Sequence, residues 1–398
     1  MHRSVIVGGA RTPIGKLSGS LASLTAVDLG GVAIAAALAR AGLAGDQVDH
    51  VIMGHVLQAG AGQITARQAA LAGGVPMTVP AETVNKVCLS GMNAIAHADQ
   101  LIRLGEAEVV VAGGMESMTN APYLLPGARA GYRYGDATLV DSTLHDGLFC
   151  AIERRSMGEA TEDHGRTRGI TREEQDAYAA RSHERAVLAR RNGVFDDEIT
   201  PVVVPQRRGE PVTVTVDEGV REGTTAEVLA RLRPAFSPDG TMTAGSSSQI
   251  SDGACAVVVT SAARAAELGL PVLAEILSYG SVAGPDPSLH SQPSHAIHAA
   301  LAKAGLTVAD LDLLEINEAF AAVAIQSVRD LGVSDDLVNV NGGAISLGHP
   351  IGMSGARITL HLALELARRG GGLGAAGLCG GGGQGDALVL RMPGGARR

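Results

Sequence analysis

Short runs of consecutive apolar residues alternate along this chain with longer stretches in which apolar residues return at helical spacing. Val51-Ile52-Met53, Val109-Val110-Val111-Ala112 and Ala375-Ala376-Gly377-Leu378 are of the first kind, and Leu313-Leu314-Glu315-Ile316 departs from it only at Glu315. Runs this short suit strands in the interior of a covered sheet. Residues 29–40 and 358–369 are Ala- and Leu-rich and read as helices. Alternating strands and helices predict α/β halves with helices on the sheet faces.

The pattern also repeats. Ala37-Leu38-Ala39-Arg40-Ala41-Gly42-Leu43 is echoed 263 residues later by Ala300-Leu301-Ala302-Lys303-Ala304-Gly305-Leu306. The echo holds register through Asp49-His50-Val51-Ile52-Met53-Gly54 and Asp312-Leu313-Leu314-Glu315-Ile316-Asn317. Each half therefore runs helix, Gly-Leu turn, loop, buried strand, which favours duplication over two chance Ala-rich helices. Residues 120–245 break the pattern: they carry most of the tyrosines, mixed charge and a helix near 172–192 that opens on the capping box Thr171…Glu174. The expected organisation is an N-terminal half over 1–119 with 246–272, a polar inserted loop domain over 120–245, and a C-terminal half over 273–398.

Composition narrows the function. With 398 residues, 45% of them hydrophobic, the chain can bury a large core. A formal charge of −9 without blocks of like charge speaks against nucleic acid or an anionic membrane surface as partner. No apolar run approaches membrane-spanning length, and neither end carries a targeting signal, so the expected location is cytoplasmic. The four cysteines form no Cys-x-x-Cys pair and have no histidine at ligand spacing, which argues against zinc or a disulfide framework and leaves free thiols for chemistry.

Cys88 precedes a stretch in which Met92, Ile95, Ala98 and Ile102 fall near helical spacing. At a helix start the macrodipole and free N–H groups favour a thiolate, and a neighbouring imidazole would complete a nucleophile. His349, between Gly348 and Pro350 in a glycine-rich loop, is poorly suited to core filling. Cys379 ends an apolar run and is followed by four glycines, so backbone N–H groups there can approach a ligand oxygen. Asn317 ends a buried strand, where its amide could hold a water against negative charge or simply cap a helix. Taken singly, each residue has a bland explanation: a core cysteine, a surface histidine, a flexible glycine tract, a cap.

Together, Asn85-x-x-Cys88-x-Ser90-Gly91, Asn317-Glu318-Ala319-Phe320, Gly348-His349-Pro350 and Cys379-Gly380-Gly381-Gly382 resemble the four signature blocks of the thiolase family. Gly8-Gly9-Ala10-Arg11-Thr12-Pro13 and Thr243-Ala244-Gly245-Ser246 extend the resemblance across essentially the whole chain, and within the family it is nearest to bacterial acetyl-CoA acetyltransferases. The resemblance implies an α/β fold of five layers, αβαβα, from two similar five-stranded halves with a loop domain over the site. It implies that Cys88, deprotonated by His349, takes an acetyl group from acetyl-CoA, and that Cys379 removes an α-proton from a second acetyl-CoA to give acetoacetyl-CoA and CoA, with thiolysis favoured at equilibrium. His349 and a water on Asn317 would hold the enolate oxygen, and the N–H groups of Cys88 and Gly381 the acyl oxygen. Leu148, Met157, Arg221, Ala244, Ser248, Ala319 and Phe320 match positions lining the CoA site, whereas Ser156 and Val228 depart from the family's well-described biosynthetic members. No metal or cofactor beyond the CoA thioester substrates is implied. A homotetramer is, because residues 129–136 are similar to the family's assembly hairpin.

A decarboxylative ketoacyl synthase shares this fold but needs no second thiol, so Cys379 argues against it. A non-catalytic acyl-CoA binder of thiolase descent should have lost one of these residues, and none is missing. A broader-range 3-ketoacyl-CoA thiolase stays open, with Met157 closing the acyl end as the feature favouring short chains.

Overall fold

The computed structural model describes residues 3–392 and 394. The N-terminal half is a five-stranded sheet built from β1 (Ser4–Arg11), β2 (His50–Gly54), β3 (Ala81–Val84), β4 (Val109–Ser117) and β5 (Ser251–Ser261), in the order β3-β2-β4-β5-β1. The C-terminal half repeats that order with β6 (Ala274–Ala283), β7 (Leu313–Ile316), β8 (Gly372–Gly380) and β9 (Gln384–Met392), running β7-β8-β9-β6. Strands β4 and β8 begin and end 263 residues apart, the offset of the sequence repeat. Pairing directions match as well: β5 is antiparallel to β4, as β9 is to β8, while β2–β4 and β7–β8 are parallel.

Two details differ from the expected pair of five-stranded sheets. The fifth C-terminal strand is reduced to one parallel bridge, Leu314 to Val338, because Asn339 follows with a φ of 49° and turns the chain away. The two halves also share an edge, with Val5 and Ile6 of β1 paired to Glu275 and Ala274 of β6, so hydrogen bonding runs unbroken through both.

Five layers follow from strand alternation. Val110, Val257 and Val259 face a central core with Leu378, Leu388 and Leu390 from the other half, while Val111, Val258 and Val389 point outward. The central layer holds two helices, α3 (Ser90–Leu104) and α8 (Ser354–Arg368), after α1 (Ala26–Ala41) and α2 (Thr65–Ala72), which cover the outer face of the first sheet. The outer face of the second carries α6 (Gln292–Ala304) and α7 (Ala321–Leu331). The insertion contributes α4 (Met157–Gly165) and α5 (Arg172–Arg191); the α5 capping box forms, Thr171 accepting from the Glu174 N–H and Glu174 from the Thr171 N–H.

The central helices start with the same dipeptide, Ser90-Gly91 and Ser354-Gly355. A Cβ on Gly91 would lie 2.9 Å from the Ala356 nitrogen, and one on Gly355 2.5 Å from that of Met92. Glycine at both positions lets the two helix starts abut, and so brings the loops preceding them into contact.

Candidate active site

Those two loops carry Cys88 and His349. In the first, Val87 adopts a φ of 51°, a costly conformation for a β-branched residue. It is held there from both sides: Asn85 Oδ1 accepts the Val87 N–H at 3.0 Å, and Ser90 Oγ donates to the Val87 carbonyl at 2.6 Å while accepting the Lys86 N–H at 2.8 Å. Lys86 reaches across to the other half, its Nζ 2.8 Å from the buried Asp386 carboxylate. The nucleophile loop is thus strained, and tied to both halves.

Helix α3 begins two residues after Cys88. The Cys88 and Gly381 backbone N–H groups act on the Cys88 sulfur to pull its titration down. Burial outweighs them, with Glu116 adding repulsion, and the thiol is pushed up to about 12. The helix start favours the thiolate, but desolvation of the charged form is larger, which leaves activation to the neighbouring imidazole. Proton removal must therefore accompany attack. Cys379, at the end of β8, is also raised by burial, and further by the Cys88 charge.

His349 is buried, and its titration falls to about 4, chiefly through burial with a contribution from Arg357. The ring is neutral near pH 7. Its Nδ1 lies 2.6 Å from Ser354 Oγ, and its Nε2 has no hydrogen-bond partner.

Cys88, His349, Cys379 and Gly381 line one cavity of about 50 Å³, with Leu148, Met157, Ser248, Ala319 and Phe320 from the CoA set. Asn317 does not line it, yet it is fully buried with both amide atoms unpartnered. A wider cavity of about 570 Å³ shares Leu148, Met157, Ser248, Phe320, His349 and Ile351 with the small one and adds Arg221 and Ala244. The seven CoA-matched positions thus fall on these two connected spaces. Ser156 lines the wider one while capping α4 through Glu159; Val228 lies outside its lining. Sequence reasoning missed Leu289 and Ile351 in the small cavity and Phe236, edge-on to Phe320, in the wide one. Ile351 sits two residues past His349 and could have been suspected; Leu289 and Phe236 arrive from distant segments with no local signal.

Among the described residues, no group of three or more His, Cys, Asp or Glu side chains is arranged to hold a metal ion, and no helix is long and apolar enough to cross a membrane. Residues 4–263 match the family description "Thiolase, N-terminal domain" and residues 270–392 "Thiolase, C-terminal domain". The chain is 60% identical to a "Probable acetyl-CoA acetyltransferase" of Mycolicibacterium smegmatis over 97% of this chain and 100% of that one. It is 53% identical to an "Acetyl-CoA acetyltransferase" of Pseudomonas aeruginosa, covering 98% and 99%. Its structure resembles the crystal structure of the Bacillus anthracis acetyl-CoA acetyltransferase with a TM-score of 0.96 at 44% identity, covering 98% of this chain and 99% of that one.

Proposed function

This chain belongs to the thiolase family, and from that premise we propose that it is an acetyl-CoA C-acetyltransferase joining two acetyl-CoA molecules into acetoacetyl-CoA and CoA, and running the reverse thiolysis. The observation that carries the proposal is the meeting of two thiols and a neutral imidazole on one cavity of about 50 Å³. A cavity of about 150 Å³ takes a benzene ring, so this one has room for the two or three heavy atoms of an acetyl group.

Cys88 gives its proton to His349 Nε2 as its sulfur attacks the first thioester. The tetrahedral oxygen is received by the Cys88 and Gly381 N–H groups, and the departing CoA sulfur takes the proton of Cys379. The resulting Cys379 thiolate removes an α-proton from the second acetyl-CoA. The enolate oxygen is held by the protonated His349 and a water on Asn317, and the enolate carbon attacks acetyl-Cys88. The released Cys88 sulfur then recovers its proton from His349, so the cycle closes with every proton returned. An oriented donor of this kind contributes roughly 3 to 4 kcal/mol in comparable oxyanion sites. The chemistry needs no metal or redox cofactor.

The wider cavity would take the pantetheine arm against Leu148, Met157, Ala244, Ser248, Ala319 and Phe320, with Arg221 toward the nucleotide. The proposal includes a homotetramer, supported by the exposed Tyr132 and fully exposed Tyr134 in the connection between the paired strands Tyr123–Leu124 and Val140–Asp141, and a cytoplasmic location, supported by four free cysteines.

Intact-protein mass after acetyl-CoA treatment tests the assignment. Wild type and Cys379→Ser should gain one acetyl group, Cys88→Ser none, and Cys379→Ser should fail to condense. An acetyl group mapped to Cys379 would overturn it.

A further inference from the structure

We infer that Ser354 is a positioning residue that fixes the tautomer of His349, keeping the proton on Nδ1 and Nε2 free to act as base. The inference rests on the activity proposed above and adds a residue to it.

The geometry leaves little choice. Ser354 Oγ, buried at the first turn of α8, has two neighbours: His349 Nδ1 at 2.6 Å and the Pro350 carbonyl at 2.9 Å. A hydroxyl has a single proton. If that proton points at Nδ1, the Oγ–Pro350 contact loses its hydrogen, and the ring must carry its own proton on Nε2, which no protein group accepts. If it points at the Pro350 carbonyl, Oγ accepts from Nδ1–H and both short contacts are hydrogen bonds. The second arrangement makes one bond more within the protein and leaves neither short contact of Ser354 Oγ without its hydrogen. Nε2 is then the bare nitrogen in the cavity shared with Cys88.

The same chain serves the later step. Once Nε2 holds the Cys88 proton, the imidazolium still donates through Nδ1 to an oxygen polarised by a carbonyl, in a site where burial and Arg357 oppose that charge. Pro350, Ser354 and His349 lie within six residues, so the device is made within the loop and first turn of α8, and it needs no carboxylate partner.

The test separates this role from packing. In wild-type protein labelled with ¹⁵N-histidine, His349 shifts at pH 7 should show Nδ1–H and a bare Nε2; an Nε2–H tautomer would overturn the inference without any variant being made. Ser354→Ala should give a mixture of tautomers and lower kcat for acetoacetyl-CoA thiolysis about 10- to 100-fold, the range typical for a lost orienting partner, with KM within about twofold. Ser354→Thr, which keeps a hydroxyl, should recover most of kcat. A Ser354→Ala enzyme that keeps the wild-type tautomer and kcat within twofold refutes it. If wild type showed no thiolysis, the proposed activity would fail, while the tautomer measurement would still decide the role of Ser354.

Discussion

Leu289 forms part of the wall of the cavity that holds Cys88 and Cys379, and is itself 4% exposed. Replacing it with alanine removes three carbons from that wall. For the native cavity of about 50 Å³, each substrate methylene that cannot be accommodated should cost about 1 to 3 kcal/mol in kcat/KM, or 10- to 200-fold. Thiolysis of 3-oxohexanoyl-CoA should therefore be slower than that of acetoacetyl-CoA by at least about two orders of magnitude. In Leu289→Ala, each carbon of released space that a substrate methylene fills returns about 0.8 kcal/mol, so a fully used opening is worth up to about 2.4 kcal/mol, or a roughly 60-fold shift in the ratio toward the longer substrate. The assay is kcat/KM for a series of 3-oxoacyl-CoA esters on both proteins, with circular dichroism to confirm folding, because truncating a buried leucine costs about 2 to 5 kcal/mol of stability. Wild-type protein cleaving the longer esters as fast as acetoacetyl-CoA would refute the size argument and favour a broad-range thiolase. An unchanged ratio in the variant would show that the acyl chain does not run toward Leu289.

Two further outcomes follow from buried charge. Arg11 is fully buried and binds Asp217 with two nitrogens at 2.7 and 2.9 Å and Glu198 with a third at 2.7 Å; Arg11→Met leaves the buried Asp217 without its cation and Glu198 with only His361, 2.8 Å away, and should cost about 3 to 5 kcal/mol in urea unfolding, and a loss below 1 kcal/mol would contradict this. His349 titrates near 4 rather than 6.5, so it stays the unprotonated base as pH falls and loses that form only on approaching pH 4. The rate of Cys88 acetylation should accordingly stay within about twofold between pH 7 and 5.5, where a histidine of ordinary value would lose about tenfold; a half-loss near pH 6.5 would show that burial does not set this group.

Much of this molecule could be read from its residues, and the divide is physical. Strand runs, the 263-residue echo and the Thr171 cap are local patterns, and β4 and β8 fall on them. Cys88, His349 and Cys379 were legible through the short blocks that carry them, and the fold brings these three to one cavity, which Asn317 does not line. What could not be read depends on contacts between distant segments. Leu289 lines the cavity because α6 begins beside β8, and the β1–β6 edge pairing joins strands 270 positions apart. The protonation of Cys88 could not be read in full, because a helix start is visible in sequence, whereas the desolvation that opposes it is set by the assembled fold. The positive φ of Val87 is likewise invisible, since nothing in its side chain asks for it.

The abutting glycines of the two central helices give the chain a second class of indispensable positions. Gly91 and Gly355 carry no reactive atom, yet a methyl group on either must push apart the helix starts whose preceding loops bear the nucleophile and its base. A mutational screen scored on turnover would rank both beside Cys88 and His349, and a survey guided by chemical reactivity would pass over them.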